Sequence, residues 1–397
     1  MLRFTLRWSA ISIIVGLLAG SASAAFLAAL DLVTQTRIDH PWLLFLLPVA
    51  GMLIAWLYHR HGKGTEAGNN LILDEIHNPK QVVPLRMAPL VLFGTLTTHL
   101  FGGSAGREGT AVQMGASISD QLNHFLKFDN SERKLLLMAG ISAGFASVFG
   151  TPLAGAVFGL EVLSLRRIRY QGILPCFASA IIADRVCSLW GIHHTVYKVS
   201  EVAPLTMMNI GYAILAGIAF GLCARFFTKS LHHMVRLFKN GISNPLVRTF
   251  VGGILIIILT TLMQTDRYLG LGIPVIVETF QKHVAPYDFV LKILFTVVTL
   301  GSGFKGGEVT PLFFIGATLG NALAWIVPLP LSLLSGMGFV AVFAGAALTP
   351  LACTIMAMEL FGTQGAVFCA IACVVSFLSS GSKGIYHSHH TEVTPHA

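Results

Sequence analysis

Charge is scarce in this 397-residue chain. Asp, Glu, Lys and Arg make up 11% of it, where a soluble domain carries about 25%. Hydrophobic residues make up 54%, and the mean hydropathy is +0.73. A water-soluble fold cannot cover that much apolar surface, so lipid is the solvent for most of the chain. Other signals are missing too. The six cysteines (Cys176, Cys187, Cys223, Cys353, Cys369, Cys373) all lie in apolar runs, which leaves neither a disulfide frame nor a zinc site. No His-Glu-x-x-His string occurs, so a zinc intramembrane protease has no support. The net charge is +8, but its carriers (Arg3, Arg7, Arg60, Lys63, Lys134, Arg166, Arg167, Arg169, Lys229, Arg236, Lys239) are scattered through short loops. That is a topology signal. A nucleic-acid face would need a clustered patch on a soluble surface.

The length accommodates roughly a dozen or more segments of about 20 residues or fewer. Residues 1–7 read as a cytoplasmic N-terminus. The apolar run from Trp8 to about Leu32 passes a signal-peptidase-like Ser21-Ala22-Ser23-Ala24, yet continues far enough to span, so it reads as a retained first helix. Further segments fall at about 42–58, 88–102, 110–125, 135–149, 151–165 and 173–190. Asn69-Asn70 before Leu71-Ile72 reads as a helix start, and Ser131-Glu132-Arg133-Lys134 as a loop. Residues 191–209 form the longest polar connection and divide a first membrane repeat (8–190) from a second (210–386). The second repeat has segments at about 210–228, 247–264, 272–280, 288–301, 309–327, 337–348, 350–361 and 363–379. Residues 387–397 read as a disordered, His-rich tail.

Two glycine-rich breaks interrupt apolar sequence: Gly103-Ser104-Ala105-Gly106-Arg107-Glu108-Gly109-Thr110 and Gly303-Phe304-Lys305-Gly306-Gly307-Glu308-Val309-Thr310-Pro311. Their glutamates are 200 residues apart. Ionisable residues inside an apolar region are costly and mark functional sites. Thr151-Pro152-Leu153-Ala154 recurs as Thr349-Pro350-Leu351-Ala352, 198 residues later, and each Thr is followed ten residues on by a glutamate, Glu161 and Glu359. Two matches at nearly one offset indicate an internal duplication, which in membrane transporters folds as an inverted repeat around a central site. Glu161 and Glu359 themselves read as partners for backbone or polar groups near helix ends.

Thr caps a first helical turn and Pro fits its first position. Thr151-Pro152, Thr310-Pro311 and Thr349-Pro350 therefore mark helix starts within apolar sequence. Such starts aim free N–H groups and a partial positive charge at an anion. Among the apolar regions, Arg107 and Lys305 stand out as cations flanking the glutamates. A carboxylate at a desolvated helix N-terminus can itself take the anion's place. Once an anion displaces it, protonation becomes favourable, which links anion occupancy to proton uptake.

These residues resemble the CLC family of chloride channels and proton-coupled anion antiporters, over about residues 8–388. Gly106-Arg107-Glu108-Gly109-Thr110 resembles the family's GREGP motif and implies that Glu108 is the gating glutamate and proton carrier. Gly307-Glu308-Val309-Thr310-Pro311 resembles the GxFxP motif, whose backbone amides bind the anion. Tyr386 falls where the family has its central tyrosine, and Gly68-Asn69-Asn70-Leu71 where it has GSGIP. There are departures: Thr110 for Pro, Asn69 for Ser, Val309 for Phe, a second carboxyl at Glu308, and Val162 where chloride/proton antiporters have a relay glutamate. The combination resembles the fluoride/proton antiporter branch.

The resemblance implies an all-α polytopic membrane protein with broken and re-entrant helices in a CLC-type inverted repeat. It implies a homodimer in the cell (inner) membrane that exports fluoride against protons, with no cofactor and no metal. Asn69, Gly307, Glu308, Val309, Thr310 and Tyr386 would surround the anion, with Gly106, Arg107, Gly109 and Thr110 supporting. Fluoride is strongly hydrated and needs strong donors; an Asn amide offers two where a Ser hydroxyl offers one. Glu308 reads either as a proton relay and donor to the anion or as an ion-pair partner of Lys305. A chloride channel or chloride/proton antiporter stays open. So does an intramembrane hydrolase built on Ser142 of Gly140-Ile141-Ser142-Ala143-Gly144, a string that also suits close helix packing. His193-His194 and His232-His233 read as loop residues at helix ends.

Overall fold

The computed structural model describes residues 2–162 and 170–386. Arg166, Arg167, Arg169 and the stretch from His387 onward lie outside the described residues. Before residue 191 the helices are α1 (Leu2–Asp39), α2 (Leu47–His61), α3 (Asn69–His77), α4 (Met87–Leu100), α5 (Glu108–Asp120), α6 (Leu122–Leu126), α7 (Asn130–Phe149), α8 (Pro152–Glu161) and α9 (Ile173–Leu189). After it come α10 (Met207–Gly241), α11 (Pro245–Met263), α12 (Ile273–Thr279), α13 (Asp288–Gly301), α14 (Val309–Leu323), α15 (Leu331–Ala347), α16 (Pro350–Phe361) and α17 (Ala366–Ser380). Among the described residues there is no strand, only one isolated bridge.

Residues 3–39, 41–61, 170–189, 207–241 and 245–263 are long and apolar enough to cross a membrane. The apolar helices α4, α8, α14, α15, α16 and α17 are shorter. Broken helices are tolerated at membrane depth only where protein covers their ends, and here close backbone packing supplies the cover. In α7, a Cβ on Gly140 would lie 2.6 Å from Gly115 O of α5, and one on Gly144 2.3 Å from Ala111 O. The second half repeats the device: a Cβ on Gly316 of α14 would lie 2.0 Å from Gly338 O of α15. Ser142 lies inside this packing, fully buried, with its hydroxyl directed at Ala156 O and against Gly159.

Several boundaries differ from the sequence reading. Ser131–Lys134 is the first turn of α7 rather than a loop, because the Asp129 carboxylate accepts from Ser131 N–H and Glu132 N–H at 2.8 Å each. Arg3 and Arg7 belong to α1, and His232-His233 lie within α10, well before its end. α14 starts at Val309, so Thr310-Pro311 lies inside its first turn.

Thr151-Pro152 and Thr349-Pro350 do open α8 and α16, each after a left-handed residue, Gly150 (φ 70°) and Leu348 (φ 59°). Yet neither threonine caps its helix through its side chain. The caps come from the other half. Glu359 accepts from Leu153 N–H (2.9 Å) and Ala154 N–H (2.8 Å), while Glu161 accepts from Leu351 N–H (2.9 Å) and Ala352 N–H (2.7 Å). The glutamates thus satisfy backbone groups at helix ends as expected, but reciprocally across the repeat. These two N-termini are already filled by carboxylates, so they do not offer the anion sites that their sequence suggested.

Candidate functional site

The two glycine breaks meet face to face. Gly106 N–H donates to Gly307 O (2.6 Å) and Gly307 N–H donates to Gly106 O (2.8 Å), a two-fold exchange that brings the starts of α5 and α14 together. A Cβ on Gly306 (φ 154°) would lie 2.5 Å from the Ala105 side chain, so glycine there admits the approach. The first break is braced from behind. Ser104 N–H donates to Thr299 Oγ1 (3.1 Å), and the His99 ring lies between Thr95 O (2.8 Å) and Ala105 O (3.1 Å).

Glu108 opens α5, but its buried carboxylate folds back over the break. Oε2 accepts from Arg107 N–H (3.1 Å) and from Thr310 N–H (3.1 Å), and Oε1 accepts from the Thr310 hydroxyl. Thr310 N–H belongs to the first turn of α14. Glu108 therefore occupies the N-terminus of the other half's helix, as Glu161 and Glu359 do, with the difference that a side-chain hydroxyl joins the backbone donors. Arg107 Nε stays 3.9 Å from Glu108 Oε1, beyond hydrogen-bond reach. Thr110, the counterpart of Thr310, instead shares a 2.6 Å hydrogen bond with Thr95.

The repeat symmetry fails at Glu308. By analogy its carboxylate would cap α5, but Glu308 Oε2 is buried without a hydrogen-bond partner among the described residues. Lys305 does not pair with it: the ammonium lies over the Tyr58 ring, 4.1 Å from the centroid. Near the start of α5 is Asn69 instead, whose Nδ2 would lie 3.1 Å from a Cβ on Gly109. Asn69 does not cap α3; Gly68 holds that position, and Asn69 Oδ1 is likewise buried with no hydrogen-bond partner among the described residues. Asn69, Glu308 and Tyr386 together line a cavity of about 160 Å³, with Gln113 and Lys305 at its wall. Val309, the first residue of α14, is buried and is not among the residues lining this cavity. Val162 borders a void of about 10 Å³ that Asn69 and Tyr386 also line, walled by Ile72, Val112, Ile141 and Phe158.

The structure thus gathers Gly106, Arg107, Glu108, Gly109, Gly307, Val309 and Thr310 at the crossing, with Asn69, Glu308 and Tyr386 around one adjoining cavity. Sequence reading missed the bracing residues Thr95, His99 and Thr299, since a polar residue inside an apolar helix carries no local sign of what it touches. It also missed Lys292, a buried third cation in an apolar run, whose Nζ donates to Tyr268 O (3.0 Å) and Gly270 O (2.8 Å). Arg133 was missed as a clamp. It binds Asp120 (2.9 and 2.7 Å), Glu75 (3.0 Å) and Gln81 O (2.6 Å), and so ties α3, which carries Asn69, to α5 and α7.

Broken helices in an inverted repeat, with N-termini converging on carboxylates, define a multi-pass membrane protein with an internal anion pathway. Residues 50–381 match the family model of the voltage-gated chloride channel, and the chain belongs to that family. It is 54% identical to a "Chloride/fluoride channel protein" of Pseudomonas syringae pv. tomato (strain ATCC BAA-871 / DC3000), over 100% of this chain and 89% of the relative. It is 27% identical to the "H(+)/Cl(-) exchange transporter ClcA" of Vibrio vulnificus (strain YJ016), over 94% of this chain and 87% of that one. Among solved structures, a CLC-type fluoride/proton antiporter superposes with a TM-score of 0.94 at 34% identity, covering 97% of this chain and 98% of that chain.

Proposed function

We propose that the protein exports fluoride across the cell (inner) membrane in exchange for protons. The observation that carries this reading is the Glu108 carboxylate on the first turn of α14, held by Thr310 N–H and hydroxyl. A group that fills an anion's place and can also take a proton couples the two ions: an arriving anion displaces it, and a carboxylate moved off its donors into apolar surroundings is favoured in the protonated form. Glu308 is the second proton-carrying group. Its unpartnered oxygen, beside Asn69 and Tyr386, supports a role as donor to an anion in that cavity and in the relay for which Val162 has no titratable group. Fluoride is preferred because the small anion needs several donors to replace its water, and Asn69, Thr310 and the backbone of the breaks supply them. The fluoride/proton antiporter fold at 34% identity and the relative named for chloride and fluoride support the same choice.

Chloride/proton exchange is the second reading, favoured by relatives named for it. In either case the protein moves ions and is not an enzyme; Ser142 serves helix packing. The chain divides into repeats 8–190 and 210–386 around the connection 191–209. It sits in lipid as a homodimer with a pathway in each subunit.

Efflux from proteoliposomes loaded with fluoride or chloride, with external pH recorded, tests the proposal. Fast fluoride efflux with proton uptake, both altered in Glu108→Gln and with proton movement lost in Glu308→Gln, is expected. Equal or faster chloride efflux refutes the selectivity. Unchanged proton coupling in Glu308→Gln refutes the relay.

A further inference from the structure

A cavity of about 1100 Å³ opens between the C-terminal half of α10 and the Ser380–Lys383 segment. Arg225, Lys229, Arg236, Lys239 and Lys383 line it, with His232 and His233, and no Asp or Glu is among its lining residues. Among the described residues no carboxylate forms an ion pair with any of the five Lys and Arg side chains. On α10, positions 225, 229, 232, 236 and 239 recur every three or four residues, which places them on one face.

Two ordinary explanations fall short. Cations favour a helix C-terminus, but the effect fades within the last turn, and Arg225 and Lys229 lie well before the end at Gly241. Positive loop residues mark the cytoplasmic side, but that signal needs no shared cavity. α10 has 35 residues, about 52 Å at 1.5 Å per residue, where a hydrocarbon core is about 30 Å thick. The basic half is the part left to reach the cytoplasmic headgroup level. The volume far exceeds that of a halide ion and suits a group of several tens of atoms.

We propose that this cavity binds a phosphate-bearing anion. Its floor, Gly381 to Lys383, runs directly into Ile385, whose N–H is fixed on Ala346 O (2.9 Å), and Tyr386. An occupant drawn against Lys383 on one side and α10 on the other braces the segment that carries Tyr386 into the cavity shared with Asn69 and Glu308. Occupancy therefore changes the transport rate. The binding half of the proposal stands whichever halide is carried.

The test uses the full chain in zwitterionic nanodiscs, with two probes: phosphatidylglycerol doped into the disc and retained through native mass spectrometry, and a nucleoside triphosphate titrated by calorimetry. One of them is expected to bind with a stoichiometry of one per chain. Replacing Arg225, Lys229, Arg236 and Lys239 together by Gln weakens it about a thousandfold, taking the contribution of a basic residue near an anionic surface for each. Retention of the lipid alone assigns a headgroup; binding of the triphosphate alone assigns a soluble ligand. Lys383→Gln, a single loop change, guards against misfolding of the fourfold variant: it weakens binding and removes the probe's effect on halide efflux. Failure of both probes to bind the unaltered chain, or binding by both the fourfold variant and Lys383→Gln as tight as by the unaltered chain, overturns the proposal.

Discussion

Replacing Glu161 by Gln removes one of the two acceptors that hold the first turn of α16. The carboxylate accepts from Leu351 and Ala352 N–H at 2.9 and 2.7 Å. A carboxamide keeps one acceptor and turns its NH₂ toward the other donor. Orphaning a buried donor costs about 1–3 kcal/mol, and losing a negative charge at a helix N-terminus adds roughly 0.3–1 kcal/mol. Glu161 is buried, so the expected loss is roughly 1–4 kcal/mol. Glu359→Gln acts in the same direction on α8, but Glu359 is only half-buried, and its loss is roughly half as large. The informative control is Thr151→Val, which keeps the shape of the helix-opening residue. If Thr151 capped α8, its loss would cost about 1 kcal/mol. Because its hydroxyl has no partner among the described residues, the change is expected to cost at most about 0.5 kcal/mol or to stabilise slightly. Equilibrium unfolding in mixed micelles measures all three. A Thr151→Val loss larger than that of Glu359→Gln would refute the reciprocal capping.

Arg133→Met leaves Asp120 and Glu75 buried without their cation, and is expected to cost about 3–5 kcal/mol in the same unfolding assay. Gly338→Val forces a side chain toward Gly316 O, 2.1 Å from the Cβ position, and is expected to prevent a monodisperse peak in gel filtration. Gly211→Ala on α10 meets nothing within 4 Å and is expected to raise stability by about 0.5–1 kcal/mol. Asn69→Ser removes one donor at the cavity shared with Glu308 and Tyr386, and one hydrogen bond to a charged group is worth about 1.5–3 kcal/mol. Fluoride efflux is therefore expected to slow by roughly tenfold or more, with chloride less affected; equal slowing of both ions would remove Asn69 from selectivity.

The sequence by itself determined what depends on composition and on local backbone chemistry. Scarce charge and long apolar runs specify lipid as solvent. Thr-Pro pairs fix the starts of α8 and α16, because a residue with a preset φ and no N–H fits there whatever surrounds it. The doubled Thr-Pro-Leu-Ala and Gly-x-Glu-x-Thr strings announced the repeat. Motif resemblance gathered Asn69, Glu108, Glu308, Thr310 and Tyr386 before any geometry was known. Only the tertiary structure decided which partner each polar group takes. The glutamates cap helices about 200 residues away in the chain, and Lys292 and Arg133 answer carbonyls and carboxylates on other elements. No local pattern encodes these pairings. They arise because buried polar groups need a partner, and packing two repeats head to head determines which partner lies within reach. The same packing leaves Glu308 as the one member of the fourfold set without a helix to cap.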